Sequence, residues 1–362
     1  MLDYKNSKLI VDTSSVDAGK VLWQSPSNLA IVKYWGKHGV QLPRNPSLSF
    51  TLANCFTQTL FEYEPKDYPS NEIELEMYFH GEQNEKFQAK TLAFLNSVVD
   101  IFPFLRQFKL KMNTGNSFPH SSGIASSASG MSALALCLCT MEDRFFGTLS
   151  ENNDFDQKAS YIARLGSGSA CRSIFPYMSA WGQTSAIEGS SDEYGVPYEH
   201  EMHEVFKGYH NAILIASSEE KSVSSRAGHA LMEDNVYAAS RYQQARERMF
   251  SLVDILKAGD TDAFGQLAEN EAMSLHALMM ASSPSYTLMR PNTLSMIEEI
   301  RRYREETKHP VYFSLDAGPN IHLLYPDDCK EKVQLLIDNQ LLKYCQDGVW
   351  IKDWIGEGPE EL

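Results

Sequence analysis

Asn116-Ser-Phe-Pro-His-Ser-Ser-Gly-Ile-Ala-Ser-Ser-Ala-Ser-Gly130 is a loop of small residues that feeds straight into an apolar segment. The three- and four-residue spacing of its apolar positions predicts a helix from about 128 to 146. Small residues let backbone N–H groups approach an anion, and a helix N-terminus points its positive dipole end at it. The stretch therefore has the build of a phosphate cradle, with the Ser126 and Ser127 hydroxyls in reach of a phosphate or its Mg²⁺. A small-residue turn that only lets a helix pack closely is the alternative. No Gly-Lys-Ser/Thr follows, so it is not a Walker loop, and Gly-x-Gly-x-x-Gly is missing, so it is not a dinucleotide fingerprint.

Upstream of the loop, short runs of β-branched and aromatic residues around a Leu42–Pro46 turn predict strands at 28–35 and 47–63, and alternation of apolar and charged residues predicts one at 73–80, with another at 106–113, an N-terminal third that reads as antiparallel. Helices are predicted at 89–99 and 155–165 on either side of the loop helix. Ile187–Pro197 reads as a linker or long surface loop. Beyond it come a strand at 211–216, a long helical region at 228–257, helices near 261–280 and 288–306, and two apolar runs, 311–315 and 321–325, around a sharp turn. The end, Trp354 to Leu362, has a Gly/Glu/Pro composition that suggests a frayed terminus.

The chain has 362 residues, 43% of them hydrophobic and 11% aromatic, enough for a sizeable core and two lobes with a cleft between them. A net charge of −15 argues against a nucleic-acid surface. Anionic ligands remain open, because Lys33, Lys37, Arg164, Arg172 and Arg226 cluster in or beside Gly/Ser-rich motifs. The start Met-Leu-Asp-Tyr-Lys lacks the pattern of a secretion signal, and the longest apolar run, around 131–140, is too short to cross a membrane. Six scattered cysteines without a Cys-x-x-Cys pair fit reduced, buried thiols. A cytoplasmic protein is expected. His200 and His203 are spaced to approach one another on a helix, but no further metal ligands cluster near them.

Three more segments concentrate charge and turn formers. Ser25 to Lys37 places two lysines four apart around Tyr-Trp-Gly; it can face an anion or be a solvated strand end with an aromatic anchor. Ala163 to Ser173 offers Gly166, Ser167, Gly168 and Ser169 as N–H and hydroxyl donors and Arg172 as a planar fork for phosphate or carboxylate; a capping loop between helices is the alternative. Ser314 to Asn320 sets Asp316 at a strand end beside a tight turn, where an Asx-turn role is also open.

Together, Asn28-Leu-Ala-Ile-Val-Lys33-Tyr-Trp-Gly-Lys37, Pro119 to Gly130, Gly166-Ser-Gly-Ser-Ala-Cys-Arg172 and Asp316-Ala-Gly-Pro-Asn320 resemble, in order and wording, the signature of the GHMP small-molecule kinase superfamily and, within it, the diphosphomevalonate decarboxylases. The resemblance implies an α+β, GHMP-kinase-like two-lobed fold, with a ribosomal-protein-S5-like α/β lobe over 1–190 and a ferredoxin-like α+β lobe over 191–362. It implies ATP- and Mg²⁺-dependent conversion of mevalonate 5-diphosphate to isopentenyl diphosphate, by 3-hydroxyl phosphorylation and then loss of phosphate and CO₂. Asp316 and Lys33 would work at the 3-hydroxyl and Arg172 on the carboxylate. Gly123, Ile124, Ala125, Ser126, Ser127 and Ala128 would cradle the ATP phosphates, with Ser127 near Mg²⁺. Tyr34, Lys37, Ser167, Gly168, Ser169, Ser225 and Arg226 would receive the diphosphate. A homodimer is implied, with no nucleic-acid or membrane partner. Sister enzymes acting on mevalonate 5-phosphate or 3,5-bisphosphate, a 3-kinase, and a binding protein without turnover are the rivals. The chain departs from the family wording at His120-Ser121-Ser122, where Thr-Ala-Ala is more familiar, and at His229, where methionine is common; Ala125 in place of the superfamily's second glycine is usual in the decarboxylase branch.

Overall fold

The structure is a computed structural model that describes residues 2–119, 123–149, 154–198, 202–219 and 223–362. His120, Ser121, Ser122 and His200 lie outside the described residues. Two long antiparallel strands, Gly19–Val32 and Ser47–Pro65, form the spine of the first sheet and pair from Gly19↔Tyr63 to Val32↔Leu48. Their register shifts at Pro26/Asn28, where proline removes a ladder donor, and again at Ala30/Val32. The ladder ends at Val32↔Leu48, just before Lys33.

Phe108–Asn116 continues the sheet beside Ser47–Pro65, burying Phe108, Leu110 and Met112 on one face while the intervening lysines point to water. Each such burial contributes about 1.5–3 kcal/mol. Glu74–Phe79 pairs parallel, not antiparallel, with Phe108–Asn116. The expectation of a wholly antiparallel N-terminal third is corrected here: helix Glu85–Ser97 lies between the two strands and gives the chain the length it needs to return in the same direction. The loop helix runs from Ser126 to Phe146, two residues earlier than its apolar pattern suggests, and packs on the two spine strands. Hydroxyls make the close approach possible: Ser132 Oγ lies 2.5 Å from Ser25 Oγ, and Ser129 Oγ 2.6 Å from Thr57 Oγ1.

The stretch 187–197 is no linker. Gly195–Pro197 pairs with Met178–Trp181, and the Trp181 indole N–H donates to the Asp192 carbonyl at 2.8 Å, tying the loop to the first sheet. The second sheet has the order Tyr312–Ser314, Ile321–Tyr325, His210–Leu214, Trp350–Trp354, all antiparallel, with helices Thr261–Met280 and Pro291–Thr307 packed on its first strand. The predicted long helix at 228–257 is two helices, Ser225–Ala230 and Ala238–Ala258, broken by turns where the Asn235 side chain accepts from the Tyr237 N–H.

The chain's end is not frayed. After Trp354 it crosses back to the first sheet: Ile355 bridges Leu52, Gly356 donates to Thr51, and Glu360–Glu361 pairs with Trp23–Gln24. Backbone pairing overrides the polar composition. One apolar cluster joins the halves, with Leu29 and Phe50 from the spine beside Phe206, Met249, Leu252 and Phe264. Among the described residues, no helix is long and apolar enough to cross a membrane.

Candidate active site

The strand Gly19–Val32 ends one residue before Lys33, and the chain turns at Gly36, whose φ of +96° suits glycine. Lys33 is buried, and its Nζ meets Asp316 Oδ1 at 2.8 Å. Asp316 stands after the strand Tyr312–Ser314 in the turn before Ile321–Tyr325. Gly318 N–H closes that turn on the Asp316 carbonyl at 2.7 Å. Residues 283 apart in sequence thus form one ion pair across the two sheets.

Arg172, on the short 3-10 turn Gly168–Ile174, is 2% exposed, yet its guanidinium meets only neutral groups among the described residues: Ser49 Oγ at 2.8 Å, Ser47 Oγ at 2.6 Å and Asn28 Oδ1 at 3.3 Å. Burial lowers its pKa, and Asp316 counts among the charges it feels. A desolvated cation held by three neutral acceptors keeps its charge available to an anion.

The described end of the small-residue loop approaches the turn that carries Asp316. Gly123 has φ +92°, and a Cβ there would lie 3.2 Å from the Cα of Gly318. Ala125 sits at φ 49°, ψ 40° as the N-cap of the loop helix, and no side chain caps it. The Ala128 N–H donates to the Ala125 carbonyl at 2.8 Å, and among the described residues no side chain caps the Ser126 and Ser127 N–H groups, at the cost of a left-handed alanine. Ile124 is buried, and its carbonyl accepts from Ser27 at 2.5 Å, so only its backbone serves the loop. Ala128 is buried as well, whereas Ser127 is exposed and its Oγ lies 3.2 Å from Ser167 Oγ, bringing two predicted motifs together.

Tyr34 continues the second half of the site. Its ring sits against Trp181, and a Cβ on Gly168 would come within 2.9 Å of its hydroxyl, which is buried without a partner among the described residues. Burial pushes its phenol pKa well up, so the hydroxyl stays a donor. Lys37 bonds Gln41 at 3.0 Å, and its pKa is lowered by burial and by the nearby Arg226. Ser225 and Arg226 are exposed at the start of their helix. Ser169 gives its carbonyl to Asn28. Arg164 stands apart: it donates to the Glu193 and Val40 carbonyls and is structural.

Sequence reading missed several groups. Glu271, fully buried on helix Thr261–Met280, accepts from the Lys33 backbone N–H at 2.7 Å and from Arg241 and Arg248. Asn45 and Arg241 hold the Lys33 carbonyl. His229, noted in the sequence only as standing where methionine is common, packs tilted against Tyr34 and Trp35 and accepts the Gly36 N–H at Nδ1. A glutamate on the buried stripe of Phe264, Ala268, Ala272 and Leu275 was the one available signal.

Mg²⁺ is commonly held by one or two protein oxygens, water and the nucleotide's own phosphates. The described residues contain no cluster of three acidic, His or Cys ligands, and the exposed Ser127 hydroxyl at an uncapped helix start fits that mode.

The fold is that of the GHMP kinase class, an α+β protein in which the helix after the small-residue loop stands near a charged pair supplied by two sheets. A profile described as the diphosphomevalonate decarboxylase-like N-terminal domain matches residues 25–193, and one for the mevalonate 5-diphosphate decarboxylase C-terminal domain matches 211–351. The chain belongs to the diphosphomevalonate decarboxylase family. It is similar to the diphosphomevalonate decarboxylase of Debaryomyces hansenii, 29% identical over 326 residues (85% of this chain, 80% of that one), and to that of Bos taurus, 28% identical over 327 residues (84% and 76%). Among solved structures it resembles one described as a complex with MVAPP, AMPPCP and magnesium, with TM-score 0.80, 27% identity, and coverage of 95% of this chain and 99% of that one. The Staphylococcus aureus mevalonate diphosphate decarboxylase shares the fold with TM-score 0.81 at 24% identity, covering 95% of this chain and 98% of that one.

Proposed function

We propose that this chain is an ATP-dependent decarboxylase that converts mevalonate 5-diphosphate to isopentenyl diphosphate, working where a lobe built mainly from residues 1–190, joined by the 195–197 strand and the chain's last residues, meets a lobe built mainly from 191–362. The observation that carries it is the 2.8 Å Lys33–Asp316 pair beside a buried Arg172 that has no acidic partner among the described residues, near a helix N-terminus that none of their side chains caps. Asp316 takes the proton of the 3-hydroxyl as that oxygen attacks the γ-phosphorus and ADP leaves. Lys33 steadies the charge that develops there. Arg172 holds the carboxylate; when the bond to it breaks, the electron pair forms the new double bond, the 3-phosphate departs and CO₂ is released. No redox group is needed to balance that step.

Gly123, Ile124, Ala125, Ser126, Ser127 and Ala128 receive the nucleotide phosphates, mostly through backbone N–H groups. Ser127 is the residue that would hold Mg²⁺, which when bound neutralises phosphate charge. Tyr34, Lys37, Ser167, Gly168, Ser169, Ser225 and Arg226 receive the diphosphate; the unpartnered Tyr34 hydroxyl beside Gly168 and the proximity of Lys37 to Arg226 support that grouping. Six buried, unbridged cysteines fit a cytoplasmic setting, and a homodimer is the assembly we expect.

The test is an assay of purified protein with ATP, Mg²⁺ and, in turn, mevalonate 5-diphosphate, 5-phosphate and 3,5-bisphosphate, scoring ADP and CO₂ separately. Both products from the diphosphate alone are expected. ADP without CO₂ means a kinase, CO₂ from another phosphate means a sister enzyme, and neither product from any substrate refutes the enzyme reading.

A further inference from the structure

Lys33 has an unusual backbone for a residue at the end of a strand. Its N–H donates to Glu271 Oε2 at 2.7 Å, and its carbonyl accepts from Asn45 Nδ2 at 3.1 Å and Arg241 Nη2 at 3.3 Å. Both peptide groups are thus held by side chains, because the ladder with Ser47–Pro65 ends at Val32↔Leu48, one residue before Lys33. Glu271 is 0% exposed and is itself fixed by Arg241 at 2.5 and 2.7 Å and by Arg248 at 2.6 Å. Burial opposes its ionisation, but the arginines and the Lys33 N–H outweigh it, and its carboxyl lies below the usual range.

Five residues along the same helix, His276 is 1% exposed, with its Nε2 3.1 Å from the Asp316 carbonyl. A carbonyl only accepts, so Nε2 carries the proton and donates. Five residues span about 7.5 Å of helix. We propose that helix Thr261–Met280 sets the spacing of the reactive pair, with Glu271 anchoring Lys33 and His276 anchoring Asp316, so that Glu271, Arg241 and His276 are positioning residues. The catalytic consequence rests on the reaction proposed above; the geometric one does not. A rigid helix holding both members fixes the Lys33 Nζ to Asp316 Oδ1 distance more tightly than two independent loops could, and misplacing a reacting group by about 1 Å can lower a rate about 10²-fold.

The experiment compares Glu271→Gln, His276→Leu and His276→Gln with the parent, by crystal structure and by steady-state kinetics. Glu271→Gln keeps an acceptor but leaves two arginines without their counter-charge; His276→Leu removes the donor, and His276→Gln restores one. Expected are a Lys33–Asp316 separation beyond hydrogen-bonding range in Glu271→Gln and His276→Leu, a kcat lower by about 10- to 100-fold with both KM values nearly unchanged, and partial rescue in His276→Gln. If Glu271→Gln fails to fold, the two His276 variants decide. An unmoved pair in folded variants overturns the proposal whatever the parent catalyses, and so does a raised KM with unchanged kcat. A parent that produces neither ADP nor CO₂ refutes the reaction and leaves the crystallographic comparison to decide on positioning.

Discussion

Replacing Asp316 by Asn keeps an oxygen near Lys33 Nζ and removes both the base and the counter-charge. The Lys33 side chain is 2% exposed and that of Asp316 21% exposed. Removing one partner of a fully buried pair costs about 3–5 kcal/mol. Water reaching Asp316 and the amide oxygen that remains reduce this to about 1–3 kcal/mol, the cost of an imperfectly satisfied buried group. Loss of a positioned base lowers turnover by about 10²–10⁴-fold. Urea denaturation, calorimetric titration with a non-hydrolysable ATP analogue, and CO₂ release should report lowered stability, near-parental nucleotide binding and almost no product. Adding Lys33→Met removes the stranded cation and should recover most of the lost stability with no gain in turnover, the coupling expected of contacting residues. Turnover in Asp316→Asn within about tenfold of the parent would refute the base assignment. A double variant no more stable than the single one would refute the stranded-charge argument.

Arg172→Lys removes the planar fork that reaches Ser47, Ser49 and Asn28 together, and should lower kcat/KM by about 10²-fold in the same assay while nucleotide affinity stays unchanged. Ala125→Gly relieves the left-handed backbone at φ 49° and should raise stability by about 1 kcal/mol, read from the thermal midpoint; a lower midpoint would show that the loop is not strained there. Burial, with the Lys37 charge, lowers the His229 pKa to about 3; burial, with Lys33 acting against Asp316, lowers that of His322 to about 4. The unfolded chain binds these protons near pH 6.5, its usual histidine value, so the folded state binds fewer. Stability should therefore be full above about pH 6.5 and fall towards about pH 4, by about 1.4 kcal/mol per pH unit for each histidine at most. His322→Leu should flatten that fall in urea midpoints. Deleting residues 357–362 removes the pairing at Trp23–Gln24 and the Arg144–Glu361 bridge and should lower the thermal midpoint without changing kcat.

How much of this was legible depended on where each residue's partners lie. The loop at 116–130 and the strand alternation at 106–113 carry their own signal, because backbone freedom and face are local properties. Lys33, Arg172 and Asp316 stood out because their motifs occur together. The direction of the Glu74–Phe79 pairing was hidden, since alternation tells which face is buried and nothing about which way the neighbour runs. The last residues looked disordered because their polar composition is local, whereas their pairing partner is near the start of the chain. Glu271 reads as an ordinary helical glutamate until Arg241, Arg248 and the Lys33 N–H are seen around it. Tyr34 and Gly168, adjacent only in space, show the same limit.

Gly123 and Gly318 meet backbone to backbone, one from the loop assigned to the nucleotide and the other from the turn that carries Asp316. With no side chain between them there is nothing compressible at the contact. A push of the loop towards the turn meets main chain directly, so the loop cannot close further on the base without displacing it. Their approach is then a property of two main chains, beyond the reach of rotamer changes, and a methyl added at Gly123, 3.2 Å from the Gly318 Cα, would register as a displaced reaction coordinate before it registered as lost stability.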